Sequence, residues 1–128
     1  MSNINTSVNK QQNITTNIVS GEISANDILN RIEEFYHGYI TKYILWDFSD
    51  ASFKNISSDD ITKIVALSNK YTQTRNGGKT AMVFSSKFGF GLGRMFDIQK
   101  DIADREVSHM SFQDKNDALN WLFSEAYD

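Results

Sequence analysis

The chain has no cysteine and no proline among its 128 residues. The first absence excludes disulfides, thiolate metal sites and cysteine nucleophiles, and it suits a reducing compartment. The second leaves every turn to Gly, Asn, Asp and Ser. Histidine is scarce: His37 and His109 lie far apart in the sequence. Neither has a second ligand at metal spacing, and neither has a nucleophile and an acid close by for triad chemistry. No apolar run approaches the roughly 20 residues needed to cross a bilayer, and residues 1–12 lack the apolar core of a signal peptide. A cytoplasmic location with no transmembrane segment is therefore expected. A formal net charge of -3 gives no basic excess, and Lys42, Lys54, Lys63, Lys70, Arg75 and Lys79 are scattered among acids and polar residues. That pattern speaks against nucleic acid as a partner, which calls for a clustered cationic face.

What is present reads as alternating strands and helices. Ile4, Thr6 and Val8, a polar break at Asn9 to Gln12, then Ile14, Thr16 and Ile18 alternate with a period of two. This predicts an antiparallel hairpin ended by Gly21. Ser24-Ala25-Asn26-Asp27 has the form of a capping box, with Asp in the usual place of Glu. Ile28, Leu29, Ile32, Phe35 and Tyr36 follow at helical spacing, predicting a helix from about Asn26 to His37 with Gly38 near its end. Tyr43 to Phe48 is continuously apolar except for Asp47, as in a strand covered on both faces.

Ser49 to Ser58 reads as a polar loop, and Ile61, Ile64, Val65, Ser68 and Tyr71 mark a second helix stopped by Asn76-Gly77-Gly78. Thr80 to Phe84 is a second buried strand. After a glycine-rich stretch, Leu92, Met95, Phe96, Ile102 and Ala103 mark a third helix. Glu106 to Phe112 reads as a strand, and a last helix carries Ala118, Leu119, Leu122 and Ala126. The order β-β-α-β-α-β-α-β-α predicts one α/β domain over residues 1–128. Its sheet should be mixed and mainly parallel, with right-handed crossovers and the hairpin as an antiparallel edge.

Three stretches go further than pattern. They are Gly78-Lys79-Thr80-Ala81-Met82-Val83, then Phe90-Gly91-Leu92-Gly93-Arg94-Met95-Phe96, and then Phe112-Gln113-Asp114 with Ala118-Leu119-Asn120-Trp121-Leu122. Together they resemble the glycine-led strand, the helix-opening signature and the closing strand and helix of the SpoIIAA-like family of small bacterial domains. That family is grouped with STAS and SEC14-type folds, and the resemblance runs from Gly21 onward. It implies the same element order and little chemistry, because fold does not fix function. The anti-sigma-factor antagonists related to it carry a phosphorylatable serine at the helix after the third strand. Ser57 and Ser58 stand there in this chain, without the Asp-Ser-Ser-Gly run and with Asp59 and Asp60 following.

The candidate sites have competing readings. Gly89, Gly91, Gly93 and Arg94 lie between a strand and a helix. They make either an anion cradle of backbone N–H groups with a guanidinium beside it, or a close helix–strand contact with Arg94 paired to Asp97 or Asp101. The spacing is neither the dinucleotide fingerprint nor a Walker loop. Phe88 and Phe90, with Leu92, Met95 and Phe96, line a pocket for a lipid-like ligand, form a dimer surface, or belong to the core. Ser57 and Ser58 are phosphoacceptors or simply the N-cap of a helix. Asp47 ends a buried strand, a common place for functional acids in open α/β sheets, and Glu33-Glu34 read as a solvated helix face.

With no catalytic constellation and no cofactor motif, the expected function is a non-enzymatic regulatory or protein-binding module, acting on a protein partner or as a homodimer. The alternatives are a carrier of a small amphipathic anion and a phosphorylatable switch.

Overall fold

A computed structural model describes residues 2–103 and 106–124. The hairpin consists of β1 (Ser2–Asn9) and β2 (Ile14–Glu22), paired antiparallel without interruption from Ser2 opposite Gly21 to Asn9 opposite Ile14. Its turn places Asn13 at φ 59, a left-handed conformation that Asn tolerates because its short side chain bonds locally. Here Asn13 Oδ1 accepts from Lys42 N–H at 3.0 Å and its carbonyl from Tyr43 N–H at 3.0 Å. The turn is thereby tied to the next parallel strand.

There follow α1 (Ala25–Tyr36), β3 (Tyr43–Ser52), α2 (Ser58–Lys70), a 3-10 turn at Thr72–Arg75, β4 (Lys79–Phe84), α3 (Lys87–Ala103), β5 (Ser108–Phe112) and α4 (Lys115–Phe123). The five strands lie in sequence order, β2 to β5 parallel. Each crossover from β2 to β5 advances one strand in the same direction. Right-handed connections then place α1, α2 and α3 on one face, and α4 covers the other. The expected α/β order, with its antiparallel edge hairpin, is the observed one.

Alternation on β3 and β4 explains their continuous apolar runs. Ile44, Trp46, Phe48, Met82 and Phe84 point into the three-helix layer, against Ile32, Phe35, Ile61, Ile64, Leu92 and Phe96. Leu45, Ala81 and Val83 point the other way, onto Ala118 and Leu122 of α4. Phe48 stacks between Trp46 and Phe84, with ring centroids 5.5 and 5.3 Å apart. Truncating a buried residue such as Leu45 to Ala costs about 2–5 kcal/mol.

Several boundaries differ from those expected; β5 begins at Ser108 rather than Glu106. β2 runs past Gly21 to Glu22, and β3 runs on through Ser49–Ser52, where a loop was expected. A bulge between the pairs Ile18–Asp47 and Ser20–Asp50 gives β3 an extra residue. Beyond it the strand is mostly polar and half-buried or exposed, with Ala51 alone packing back onto the core. The largest difference is α3, which begins at Lys87 rather than near Leu92, so the glycine-rich stretch is helix and not loop. Ala126 lies outside the described residues.

Candidate functional site

The carboxyl ends of β2 to β5 and the N-termini of all four helices meet along one edge of the sheet, where open α/β folds place their sites. The helix starts there are locally encoded. Ser24 Oγ accepts from Asp27 N–H, and the Asp27 carboxylate accepts from Ser24 N–H. Ser57 and Asp60 make the same reciprocal pair at 3.1 and 2.9 Å. Ser57 is therefore the N-cap of α2, and Ser58 is its exposed first residue. A hydrogen bond from Ser2 and the Ser24 backbone hold the Asp27 carboxyl below its usual pKa.

At the ends of β3 and β4 lies a polar cluster that the sequence did not reveal. Asp47 Oδ1 accepts from both the backbone N–H and the hydroxyl of Ser49, at 3.0 and 2.6 Å. Its Oδ2 faces Lys115 Nζ at 3.7 Å. Ser85 Oγ donates to the Ser49 carbonyl at 2.6 Å, fastening the end of β4 to that of β3. Ser86 caps α3: its hydroxyl accepts from Gly89 N–H and its carbonyl from Phe90 N–H, each at 3.0 Å. Asp47 thus has a partner, Lys115, from a helix far along the chain.

The glycines divide by direction. A Cβ on Gly93 would sit 2.4 Å from Phe84 Cε2 and 2.5 Å from Ser111 Oγ, and one on Gly89 would be 3.1 Å from both Phe53 and Phe84 ring carbons. These two glycines, one helical turn apart, let α3 lie directly on β4. A Cβ on Gly91 would meet nothing within 4 Å. Of the aromatic pair, Phe90 packs against the core and Phe88, in the first turn of α3, is 58% exposed. Arg94 is exposed, with Nη1 4.0 Å from Asp97 Oδ2.

Asp97 is the most perturbed acid. It is 4% exposed, wedged between α3 and β5, and neither carboxylate oxygen has a hydrogen-bond partner of ordinary geometry among the described residues. Burial pushes its pKa up to about 6; Ser111 and the Arg94 charge pull the other way, and Asp101 adds to the rise. On the next turn, fully buried Lys100 donates to Asn69 Oδ1. His109 packs edge-on to Phe96 at 5.3 Å, and burial together with the Lys100 and Arg75 charges pulls its pKa down to about 3. Arg75, buried at the opposite end of the sheet, donates to the carbonyls of Thr41, Lys42 and Lys79 and to Thr80 Oγ1. It staples β3 to β4 there. Glu33 is more than a solvated side chain, since it accepts from the Tyr71 hydroxyl and faces His37 Nε2 at 3.5 Å.

No group of three His, Asp or Glu side chains among the described residues is placed to hold a metal ion. No helix there is long and apolar enough to cross a membrane. The apolar cavity under α3, lined by Trp46, Phe48, Phe84, Leu92 and Phe96 among others, has a volume of about 60 Å³.

No family model matches the chain, and no curated protein matches it. Among solved structures it is similar to an uncharacterized protein of the DUF3478 family from Shewanella loihica PV-4. That similarity has a TM-score of 0.54 at 16% identity and covers 94% of this chain and 93% of the other. The likeness speaks to architecture, and it agrees with the element order, the strand order and the helix layering described above. The chain has a SpoIIAA-like fold.

Proposed function

We propose that the protein is a non-catalytic binding module that engages a protein partner through the carboxyl edge of its sheet, with Phe88 as the anchor. The observation that carries this is a large aromatic exposed at the start of a closely packed helix. Phe88 is 58% exposed on the first turn of a helix whose next turn is clamped on Phe84. Exposed Ser86 and Lys87 precede it in the chain, and exposed Ser85 lies just before them. An aromatic centre within a polar rim is the arrangement that dominates binding energy at protein interfaces.

Two features favour this over a carrier of an amphipathic anion. The backbone N–H groups of Gly89 and Phe90 already bond to Ser86. The apolar cavity of about 60 Å³ is smaller than the roughly 150 Å³ that accommodates benzene. A phosphorylatable switch at Ser57 would give up a cap, because that hydroxyl already accepts from Asp60 N–H.

The test is a photo-crosslinking residue placed at position 88 in the native host, with the exposed Thr62 of α2 as the control position. One protein should be captured from position 88 and not from 62. Purified, that protein should bind Phe88→Ala at least tenfold more weakly than the parent, with melting unchanged. Equal capture at both positions, or unchanged affinity for Phe88→Ala, overturns the proposal.

A further inference from the structure

The outward side of α3 carries an apolar row that the core uses only in part. Leu92, Phe96 and the bare flanks at Gly89 and Gly93 face the sheet. On the other side Gly91, Met95, Ile98 and Ile102 recur at intervals of four, three and four; Met95 is half-buried and also touches the core, while Ile98 and Ile102 are exposed. That spacing is the seam by which one helix packs along another. Ile98 is 54% exposed and Ile102 is 82% exposed, the latter the most exposed large apolar side chain described. Scattered surface apolars need no explanation, but a contiguous helical row of them marks an interaction site. Gly91 is a second, independent anomaly. It lies within the 17-residue helix, where Gly is unfavourable, yet a Cβ there would meet nothing in this chain. Nothing within the fold requires a bare position at 91.

We infer that this face pairs with the same face of a second copy, α3 against α3 antiparallel about a two-fold axis. The register follows from the residues. Setting Met95 against Ile98 of the other copy brings Ile102 onto Gly91, so the protruding side chain meets the position that has none. The two-fold repeats both contacts. The same register brings Arg94 of each copy beside Asp101 of the other, on the flank of the seam. Both residues are exposed and, seven apart, share one flank of the helix, and an antiparallel pair sets that flank against the same flank of the other copy. Phe88 falls one turn before Gly91, past the overlap of the two α3 helices, which in this register ends at position 90. The contact is about three helical turns long. That falls short of the roughly 800 Å² per partner of a standard interface, so the association is weak and reversible.

Sedimentation velocity on the full chain from about 10 µM to about 1 mM tests it, since micromolar-to-millimolar affinity is what so short a contact supplies. The parent should pass from monomer toward dimer within that range. Ile98→Asp should remain monomeric throughout. Arg94→Glu and Asp101→Lys should each weaken dimerisation at least fivefold, and the double swap should restore it to within twofold. Ile98 and Asp101 are exposed, so melting curves of their variants should match the parent and separate lost association from lost folding. A parent monomeric at 1 mM, a dimer that survives Ile98→Asp, or a double swap without restoration overturns the inference. None of these outcomes bears on capture through position 88.

Discussion

Replacing Asp97 with Asn should make the protein more stable near neutral pH and leave it unchanged near pH 4. An aspartate that ordinarily ionises near 3.8 holds its proton to about 6 here, because the carboxyl is 4% exposed between α3 and β5. A pKa raised in the folded state means that the fold binds the proton more tightly than the unfolded chain does. The stability contributed by the neutral carboxyl is thus fully present below about 4 and is lost as pH rises through about 6. At about 1.4 kcal/mol per tenfold change, a rise of about two pKa units corresponds to roughly 3 kcal/mol. That net rise already includes the opposing pull of exposed Arg94, 4.0 Å away. Asn is neutral at every pH, keeps the shape, and can donate to the otherwise unpartnered Ser111 Oγ. Urea unfolding of both proteins at half-unit steps from pH 4 to 7.5 gives the difference directly. It should grow from near zero to at most about 3 kcal/mol, roughly 10 °C in melting temperature for a chain of this size. Asp27, whose pKa is lowered, gives the opposite slope, but it is common to both proteins and cancels. A difference that does not vary with pH, or an Asn variant less stable than the parent at pH 7, would refute the reasoning.

Further expectations concern α3, its neighbours and the caps. Gly93→Ala should destabilise by about 1–3 kcal/mol or more, as overpacking does, because its Cβ falls on Phe84; Gly91→Ala should stabilise the monomer by about 1 kcal/mol from helix propensity alone. Thermal melts of the pair read both signs. His109, held neutral with a pKa near 3, contributes stability that is present above about 6.5 and lost as pH falls toward 3. His109→Gln should flatten that acid limb in acid titration followed by circular dichroism. Ser57→Ala should cost about 0.5–2 kcal/mol in chemical denaturation, since it removes the acceptor for Asp60 N–H.

What could be read from the sequence follows the range of the interactions. β3 and β4 were legible because helices cover both of their faces, leaving an apolar run that needs no partner to recognise. The caps at Ser24 and Ser57 were legible because their partners lie three residues away. The start of α3 was not. Gly89 and Gly93 look like a loop by propensity and are helical because Phe84 lies beneath them, a contact set by the crossover from β4. The polar end of β3 was missed for a related reason: its pairing with β2 carries no apolar signature. The Asp47–Lys115 pair and the burial of Asp97 against Ser111 arise from register between distant segments, and single residues show neither. Asp97 had one faint sign, its place a turn after Gly93 on the face that turns to the sheet. Phe88 was singled out because helical periodicity did not explain it, and it is indeed the exposed aromatic of that stretch.

The central structural claim is that residues 87–96 are a helix pressed onto β4, presenting Phe88 outward from a rigid base. Native-state amide exchange resolved by residue tests it most directly. The amides of Leu92 to Phe96 should be protected to the same order as those of Leu45 and Val83. Exchange there within seconds would mean that the segment is a mobile glycine loop, and the rigid anchor would be lost with it.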